Sequence, residues 1–258
     1  TKVLRKRVIY DFDDAIWLAN TSEANKVAAG LKWHHKVDSI CGWAYKNSCG
    51  NEYLATYARR FNTHTVVNPT TIDTEHLHNQ VRNQLAPGPL VIGWTGTHST
   101  LKYLRPLVPV LAQLEAEGLD FEFRVISNQP PDFNQPLRSL RFVPWQKTSE
   151  ILDLLTFHVG LMPLEDDQWA KGKCAFKALQ YMALGIPALV SPVGMNTEVV
   201  QDGVNGYICR EPAEWLRHLR HLLTTPAQRQ RLGQAARATI EKRYSVRANT
   251  ANFLALFS

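Results

Sequence analysis

Short apolar runs and one amphipathic segment follow each other between residues 159 and 198. The apolar run Val159 to Leu164 predicts a buried strand, and the polar residues Glu165 to Gly172 predict a loop after it. Apolar residues at three-and-four spacing then predict a helix over Cys174 to Leu184. A second apolar run, Ala188 to Ser191, predicts the next strand. The order strand, loop, helix, strand is typical of a doubly wound α/β sheet, which binds ligands where its strands end.

The predicted helix has a cationic face as well as an apolar one. Gly185 fits a left-handed cap at its end. Near its beginning, Lys173, Lys177 and Gln180 lie at i, i+4 and i+7 and therefore share a face. Because a helix N-terminus presents free N–H groups and a partial positive charge, two lysines there predict a site for phosphate or diphosphate. The alternative interpretation is a solvent-exposed lysine face beside a buried stripe.

The run GKCAFKALQYMALGIPALVSPVGMNTEVVQDGVNG, residues 172–206, resembles the donor-site signature of family-4 glycosyltransferases, which have the GT-B fold. In that family two glutamates flank a phosphate-binding turn and hold hydroxyl groups of the donor. Counted back from the Gly-x-Pro of residues 185–187, the two positions hold Gly172 and Gln180 in this sequence. The resemblance implies that Gln180 holds the ribose and that the two lysines carry more of the diphosphate. Gly172 cannot replace a carboxylate.

The same resemblance implies an α/β GT-B protein with two Rossmann-like domains, the first of them partial. A polar stretch ends in the Pro-Gly-Pro of residues 87–89, where we place the domain boundary. We expect a partial N-terminal, acceptor-side domain with its linker over residues 1–86, including a helix over Glu23 to Trp43. A nucleotide-sugar-binding domain follows over 87–244, and a terminal helix over 245–258 crosses back to the first domain. Because the usual first strands are missing, the sequence is expected to be a fragment. The alternative is a naturally shortened protein that borrows the missing surface from a partner.

Acidic residues follow the first predicted strand. In an open α/β sheet, such residues at the carboxyl end of a strand face the ligand cleft. Family-4 enzymes often have a His-Asp pair here that lines the sugar site, so the resemblance implies catalytic roles for Asp13 and Asp14. Turn or capping carboxylates are the alternative interpretation. Asp11 and Asp13 also imitate the metal-binding Asp-x-Asp of another glycosyltransferase fold, but GT-B enzymes need no such metal and none is expected.

Further donor contacts are expected around the first strand of the second domain. A glycine-containing loop, Gly93 to Thr97, precedes a helix predicted to start near Leu101 and to be capped by Thr97 or Ser99. Trp94 and Lys102 lie near the sequence positions where the family has the Arg and the Lys that bind the diphosphate. The residues expected to bind the donor are Gly93, Trp94, Thr95, Gly96, Lys102, Val143, Lys173, Cys174, Ala175, Phe176, Lys177, Gln180, Gly194, Met195, Asn196, Thr197 and Glu198.

Composition narrows the classes of function. The net charge of +6 is concentrated near both ends of the 258 residues and suits anionic partners such as nucleotide diphosphates. No nucleic-acid-binding module is recognisable, so nucleic acid is not expected as a partner. No apolar run reaches the ~18 residues of a membrane helix, and the four cysteines are predicted to be free thiols in a reducing cytoplasm. We expect a cytoplasmic protein, with a peripheral contact at the inner face of the cell membrane as a further option.

The resemblance therefore implies a retaining, metal-independent glycosyltransferase without a cofactor. Its donor is a nucleotide-diphosphate sugar, and its acceptor is a saccharide or a lipid-linked molecule. One alternative is a non-catalytic GT-B relic that binds a nucleotide or a partner protein, because the family's carboxylates are missing. Another is a nucleotide-sugar epimerase, for which Asp13, Asp14 and His98 are the candidate catalytic residues. The sugar, the base, the acceptor and the oligomeric state are left open.

Overall fold

The computed structural model describes residues 7–18 and 35–258, and their strands form two parallel sheets. The first sheet has the order β1-β2-β3, with β1 Ile9–Phe12, β2 Lys46–Cys49 and β3 Thr65–Val67. The second has the order β6-β5-β4-β7-β8-β9. Its strands are β4 Val91–Gly96, β5 Glu122–Ser127, β6 Leu140–Pro144, β7 Val159–Met162, β8 Ala188–Val190 and β9 Gly206–Ile208.

The strand order of the second sheet reverses between β4 and β7, which are parallel neighbours. The chain runs outward from β4 in one direction and outward from β7 in the other. The loops that follow these two strands therefore diverge and leave a crevice at their carboxyl ends. This crevice is where a doubly wound sheet binds its ligand.

Helices connect the strands. They are α1 His35–Trp43, α2 Glu52–Arg59, α3 Val108–Ala116, α4 Glu150–Leu154, α5 Gln168–Lys171, α6 Phe176–Ala183, α7 Asn196–Val199, α8 Pro212–Thr224, α9 Pro226–Thr239 and α10 Val246–Leu254. Two 3₁₀ helices, His98–Leu107 and Ala255–Phe257, and a π-helical segment, Ile240–Tyr244, complete the described secondary structure.

The central strand–helix–strand prediction is confirmed, with α6 shorter than expected and with Gly185 left-handed at φ 67°. The prediction for the helix after β4 was wrong in its start, its type and its cap. It starts at His98 as a 3₁₀ helix, and Thr97 makes no side-chain capping bond to it. Pro106 lies inside this segment and has no N–H to donate, so an α-helix begins only after it. The predicted helix over Glu23–Trp43 lies partly outside the described residues, and α1 is its described part.

Close approach of α6 to the second sheet depends on glycine in β7. A Cβ at Gly160 would lie 2.3 Å from the ring of Tyr181, which is fully buried on α6. The hydroxyl of Tyr181 in turn accepts a bond of 3.0 Å from the backbone N–H of Thr95 on β4. These contacts fix the position of α6 over the strands whose ends form the crevice.

The two sheets are linked by side-by-side backbone segments. Ile72 forms an isolated parallel bridge with Ser245, and its N–H donates to the carbonyl of Tyr244 at 2.8 Å. Beyond this point α10 and the residues after it contact the first sheet, where Lys46 Nζ donates to the carbonyl of Ala255 at 2.8 Å. The domain boundary at residue 87 stays a prediction. In the part of the chain that the structure describes, no helix is both long and apolar enough to cross a bilayer.

Candidate active site

The carboxyl ends of the two sheets face each other across a cleft. Asp14 follows β1 on one side, and Lys173 lies before α6 on the other. Lys173 Nζ is 3.9 Å from Asp14 Oδ1. This ion pair connects the part of the protein built on the first sheet, the first lobe, with the part built on the second sheet, the second lobe. The Lys173 side chain keeps 17% of its exposure and that of Asp14 keeps 42%. An ion pair this long and this exposed is weak, and an anionic ligand can compete for the amine.

The turn before α6 has an unusual backbone. Ala175 has φ 57° and ψ 22°, the only left-handed non-glycine conformation in residues 7–18 and 35–258. Such a residue costs about 1–2 kcal/mol, and strain of this kind often lies at functional sites. Cys174 and Ala175 are buried, whereas Phe176 exposes 49% of its surface. The first turn of α6 has N–H groups without intrahelical acceptors, and it lies beside both lysines.

Lys177 lies on α6 inside the crevice. Its Nζ is 5.7 Å from the centre of the Trp94 ring on β4, within the range of a cation–π contact. Burial, and then the charge of Lys173, lower the pKa of Lys177 to about 8, while Asp14 opposes the shift. Within the described residues Lys177 forms no ion pair, so its charge is left for a ligand.

Burial raises the pKa of Asp14 from its ordinary value. Lys173 and Lys177 oppose this shift, and the neighbouring Asp13 adds to it. The carboxylate and the two amines therefore form one coupled group at the middle of the cleft. Such a group combines cations for a leaving anion with a carboxylate that can accept a proton.

The residues of β4 that were predicted to bind the sugar donor pack against Lys177 or against core residues. Trp94 is enclosed in the core with 1% exposure, and the N–H of Thr95 is bonded to Tyr181. A Cβ at Gly96 would lie 2.6 Å from the Trp94 ring and 2.8 Å from Lys177 Cε, so glycine makes room for both side chains. A Cβ at Gly93 would likewise strike the ring of Phe157. The donor roles predicted for these residues stay predictions.

Gln180 is buried, and its Nε2 donates to Glu150 Oε1 at 3.3 Å. A carboxylate from α4 therefore lies beside the position where the family has a glutamate. Val143 on β6 is half-buried and packs against the same core cluster as α4. Lys102 is exposed on the 3₁₀ helix, where its Nζ lies over the ring of Tyr103.

The predicted segment Gly194–Glu198 lies along another part of the cleft. Gly194 is left-handed at φ 51°, and a Cβ there would lie 3.0 Å from the carbonyl oxygen of Lys171. The side chain of Asn196 is buried and donates to the carbonyl of Ser191, which stabilises the turn. Met195 and Glu198 line a cleft of about 320 Å³ with Glu52, Val67, Pro69, Arg243 and Tyr244. Thr197 is exposed and bonds to the carbonyl of Gly194.

Three residues near the site were not predicted from the sequence. Asn51 reaches across the cleft from the end of β2 to the turn before α6. Tyr103 is buried near the acidic loop after β7, and burial together with Asp167 raises its pKa to about 12. Glu150 is the third. The strand-end position of Asn51 was the one available signal, because residues at such ends face the cleft.

Gly172 contacts the first lobe too closely for any side chain. A Cβ there would lie 2.7 Å from Ala15 Cβ and 2.8 Å from Ala15 N. The turn after β1 thus occupies the space that a family glutamate would need. No three His, Cys, Asp or Glu side chains among the described residues come together as a metal-ion site.

Known proteins share both the sequence pattern and the fold. Residues 163–239 match the model of a family described as glycosyl transferases group 1. The matched residues run from the end of β7 to the end of α9. Over 79 residues the chain is 32% identical to spore coat protein SA of Bacillus subtilis (strain 168), an alignment that covers 30% of the chain and 21% of that protein. The chain thus spans only about a fifth of this curated relative.

Solved structures confirm the predicted GT-B fold. Sucrose-phosphate synthase of Thermosynechococcus elongatus has a TM-score of 0.72 at 14% identity, covering 96% of this chain and 66% of its own. HepE of Anabaena, solved in complex with UDP and glucose, has a TM-score of 0.72 at 16% identity, covering 100% and 73%. At these identities the likeness establishes the fold, while the substrates of this chain need separate evidence.

Proposed function

We propose that this chain binds the nucleotide-diphosphate sugar of a retaining glycosyltransferase reaction and transfers the sugar to a saccharide or lipid-linked acceptor. The observation that carries the proposal is the position of Lys173 and Lys177 at the crevice between β4 and β7, opposite Asp14. A relative with the same fold was solved with UDP and glucose. The proposed donor is therefore a nucleoside diphosphate linked to a hexose.

The diphosphate lies on the first turn of α6 and between the two amines. When the bond between the sugar carbon and the diphosphate oxygen breaks, the diphosphate leaves with the electron pair. Its new charge is stabilised by Lys173, Lys177 and the N–H groups of the helix, without a metal ion or a cofactor. These groups are fixed before the reaction, because α6 is anchored through Tyr181 and Gly160.

The other parts of the donor extend from this point. Gln180 and its partner Glu150 supply an amide and a carboxylate for the ribose hydroxyls. Asp13 and Asp14 face the sugar from the first lobe. The acceptor oxygen forms its new bond on the same face of the sugar carbon, and its proton passes to a base. A carboxylate with a raised pKa, such as Asp14, suits that role.

Titration of UDP, GDP and ADP by calorimetry tests the donor site. We expect one of them to bind, and we expect Lys177→Ala or Lys173→Ala to weaken it about 10- to 100-fold, the value of one charged hydrogen bond. Lys36→Ala, at an exposed lysine on α1, is the matched control and should leave the affinity unchanged. Equal affinity in all four proteins would contradict the assigned site.

A second candidate function is nucleotide binding without transfer. It is favoured by the contact of Gly172 with Ala15, which leaves no room for a family carboxylate. Release of the diphosphate from a nucleotide sugar, dependent on an added acceptor, would exclude it. Analysis of the sugar product without an acceptor distinguishes transfer from epimerisation. For epimerisation the candidate residues are Asp13, Asp14 and the exposed His98.

A further inference from the structure

Asn51 bonds to both lobes of the protein at once. It follows β2, is 2% exposed, and its Oδ1 accepts the N–H of Leu54 at 2.9 Å as the N-cap of α2. Its Nδ2 donates to the carbonyl of Gly172 at 3.0 Å and to that of Lys173 at 3.3 Å. One buried amide thus connects the N-cap of α2 in the first lobe with the turn beside the two lysines of the site.

The same turn is embedded in the core of the first lobe. Cys174 belongs by packing to the cluster of Phe12, Leu54 and Ala58, although it lies in the second half of the sequence. Its thiol donates to the carbonyl of Asp13 at 3.2 Å. A Cβ at Gly50 would lie 2.4 Å from Cys174 Sγ, so the absence of a side chain at Gly50 makes room for the thiol.

We propose that Asn51 is a positioning residue for donor binding, because it fixes the turn of residues 172–174 and thereby holds Lys173 opposite Asp14. This inference rests on the proposed function. Asn51 acts through the turn: its two bonds satisfy carbonyls directly before the left-handed Ala175 and the first turn of α6. Without them the turn is held to the first lobe by the thiol and the packing of Cys174, by the contact between Gly172 and Ala15, and by the weak ion pair of Lys173 with Asp14.

The chemistry at this position requires an amide. The cap of α2 needs an acceptor, and the two carbonyls of the turn need a donor. Asparagine has both on one short side chain. Serine keeps the cap but loses the donor to the turn. Aspartate keeps the cap and the shape, but it turns a carboxylate oxygen toward two carbonyl oxygens.

The experiment compares Asn51→Ser and Asn51→Asp with Asn205→Ser in the full chain. Asn205 is a matched control, since it is fully buried and also accepts one backbone N–H and donates to a carbonyl, within the second lobe. Calorimetry measures the affinity for the best-binding nucleoside diphosphate and for its nucleoside. Hydrogen exchange measures opening of residues 172–177.

We expect both Asn51 variants to bind the diphosphate about tenfold more weakly, the effect of two modest buried bonds, and the nucleoside as before. Exchange should become faster in residues 172–177. Asn205→Ser should lower the melting temperature and leave the affinity and that exchange unchanged. If the unaltered chain binds the diphosphate and both Asn51 variants bind it equally well, the inference is wrong while the proposed function stands. If the unaltered chain binds no nucleoside diphosphate, the proposed function fails, and this inference with it.

Gly172→Ala tests the same contact from the other lobe and keeps Asn51 intact. The added methyl group would meet the Ala15 backbone, so it should push the turn away and weaken the diphosphate affinity in the same direction. Gly42→Ala is its control, because among the residues that the structure describes a Cβ there meets only the Phe61 carbonyl, at 3.8 Å. Unchanged affinity and exchange in Gly172→Ala, together with unchanged values in the Asn51 variants, would overturn the inference even if one variant folds poorly.

Discussion

His158 and Lys177 are two basic residues whose pKa values are lowered by burial. They lie at opposite ends of the second sheet. His158 precedes β7, and burial followed by the charges of Arg82 and Arg229 lowers its pKa to about 4. Lys177 lies at the carboxyl end, and its pKa is lowered to about 8. The neutral histidine and the cationic lysine are both the forms expected at neutral pH.

The two ends differ in what their polar groups bond to. His158 Nδ1 accepts the N–H of Val91 at 3.1 Å, and Arg82 Nη2 lies 2.7 Å from its Nε2. Both neighbours are N–H donors, so an added ring proton has no acceptor. Lys177 has an aromatic ring and a distant carboxylate around it, and no ion pair within the described residues. Internal bonds thus stabilise one end, whereas the charge at the other end is available to a ligand.

The largest expected effect is a loss of stability on substitution of Gly160, which lies on β7 between the two ends of the sheet. In Gly160→Ala the new methyl group would overlap the ring of buried Tyr181, so we expect a loss of about 3 kcal/mol in the free energy of unfolding. Denaturant unfolding measures it, with Gly42→Ala as the control that should change stability little. A stability equal to that of the unaltered chain would show that α6 is not held closely against the sheet.

The next effect is a loss of stability in acid through His158. Its pKa is about 4 when folded and about 6.5 when unfolded, so the unfolded chain binds the proton first. Stability is therefore full above pH ~6.5 and falls as the pH decreases toward 4, by about 2 kcal/mol between pH 7.5 and 5. Unfolding curves across this range measure it.

The change of stability with pH should be smaller in His158→Gln. The exposed residue His64 provides the control, and His64→Gln should keep the full dependence. An unchanged pH dependence in His158→Gln would assign the acid sensitivity to other groups. It would also show that neutral His158 does not stabilise its end of the sheet.

The smallest effect concerns the ligand alone. A nucleoside diphosphate binds the protonated amine of Lys177, so its affinity should decrease above pH 8, by up to about tenfold per pH unit. The phosphate itself is fully ionised above pH ~7.5 and adds no dependence there. Calorimetry between pH 7 and 9.5 measures the decrease, and Lys177→Arg should bind without it. A decrease that persists in the arginine variant would place the titrating group elsewhere.

The sequence predicted the parts of this protein that depend on local spacing. The strand–helix–strand over residues 159–190 and the left-handed Gly185 follow from apolar periodicity and the cap residue. The 3₁₀ helix at residues 98–107 did not follow, because the missing N–H of Pro106 outweighed the capping pattern.

Long-range contacts in the site were beyond prediction. Nothing local distinguishes an asparagine that caps a helix from one that also bonds to a turn 121 residues later. Ala175 gives no sign of its left-handed backbone, because alanine has no intrinsic preference for it. The depressed pKa of Lys177 likewise depends first on its burial, which only the folded structure produces.

The side-by-side pairing of Ile72 with Ser245 has a mechanical consequence. Both covalent connections between the lobes cross at one edge of the cleft, close to β3. Separation of the lobes is then a rotation about that edge, which acts as a hinge. In the first sheet β1 lies two strands away from this hinge. The gap between Asp14 and Lys173 therefore widens before Ile72 and Ser245 have to separate.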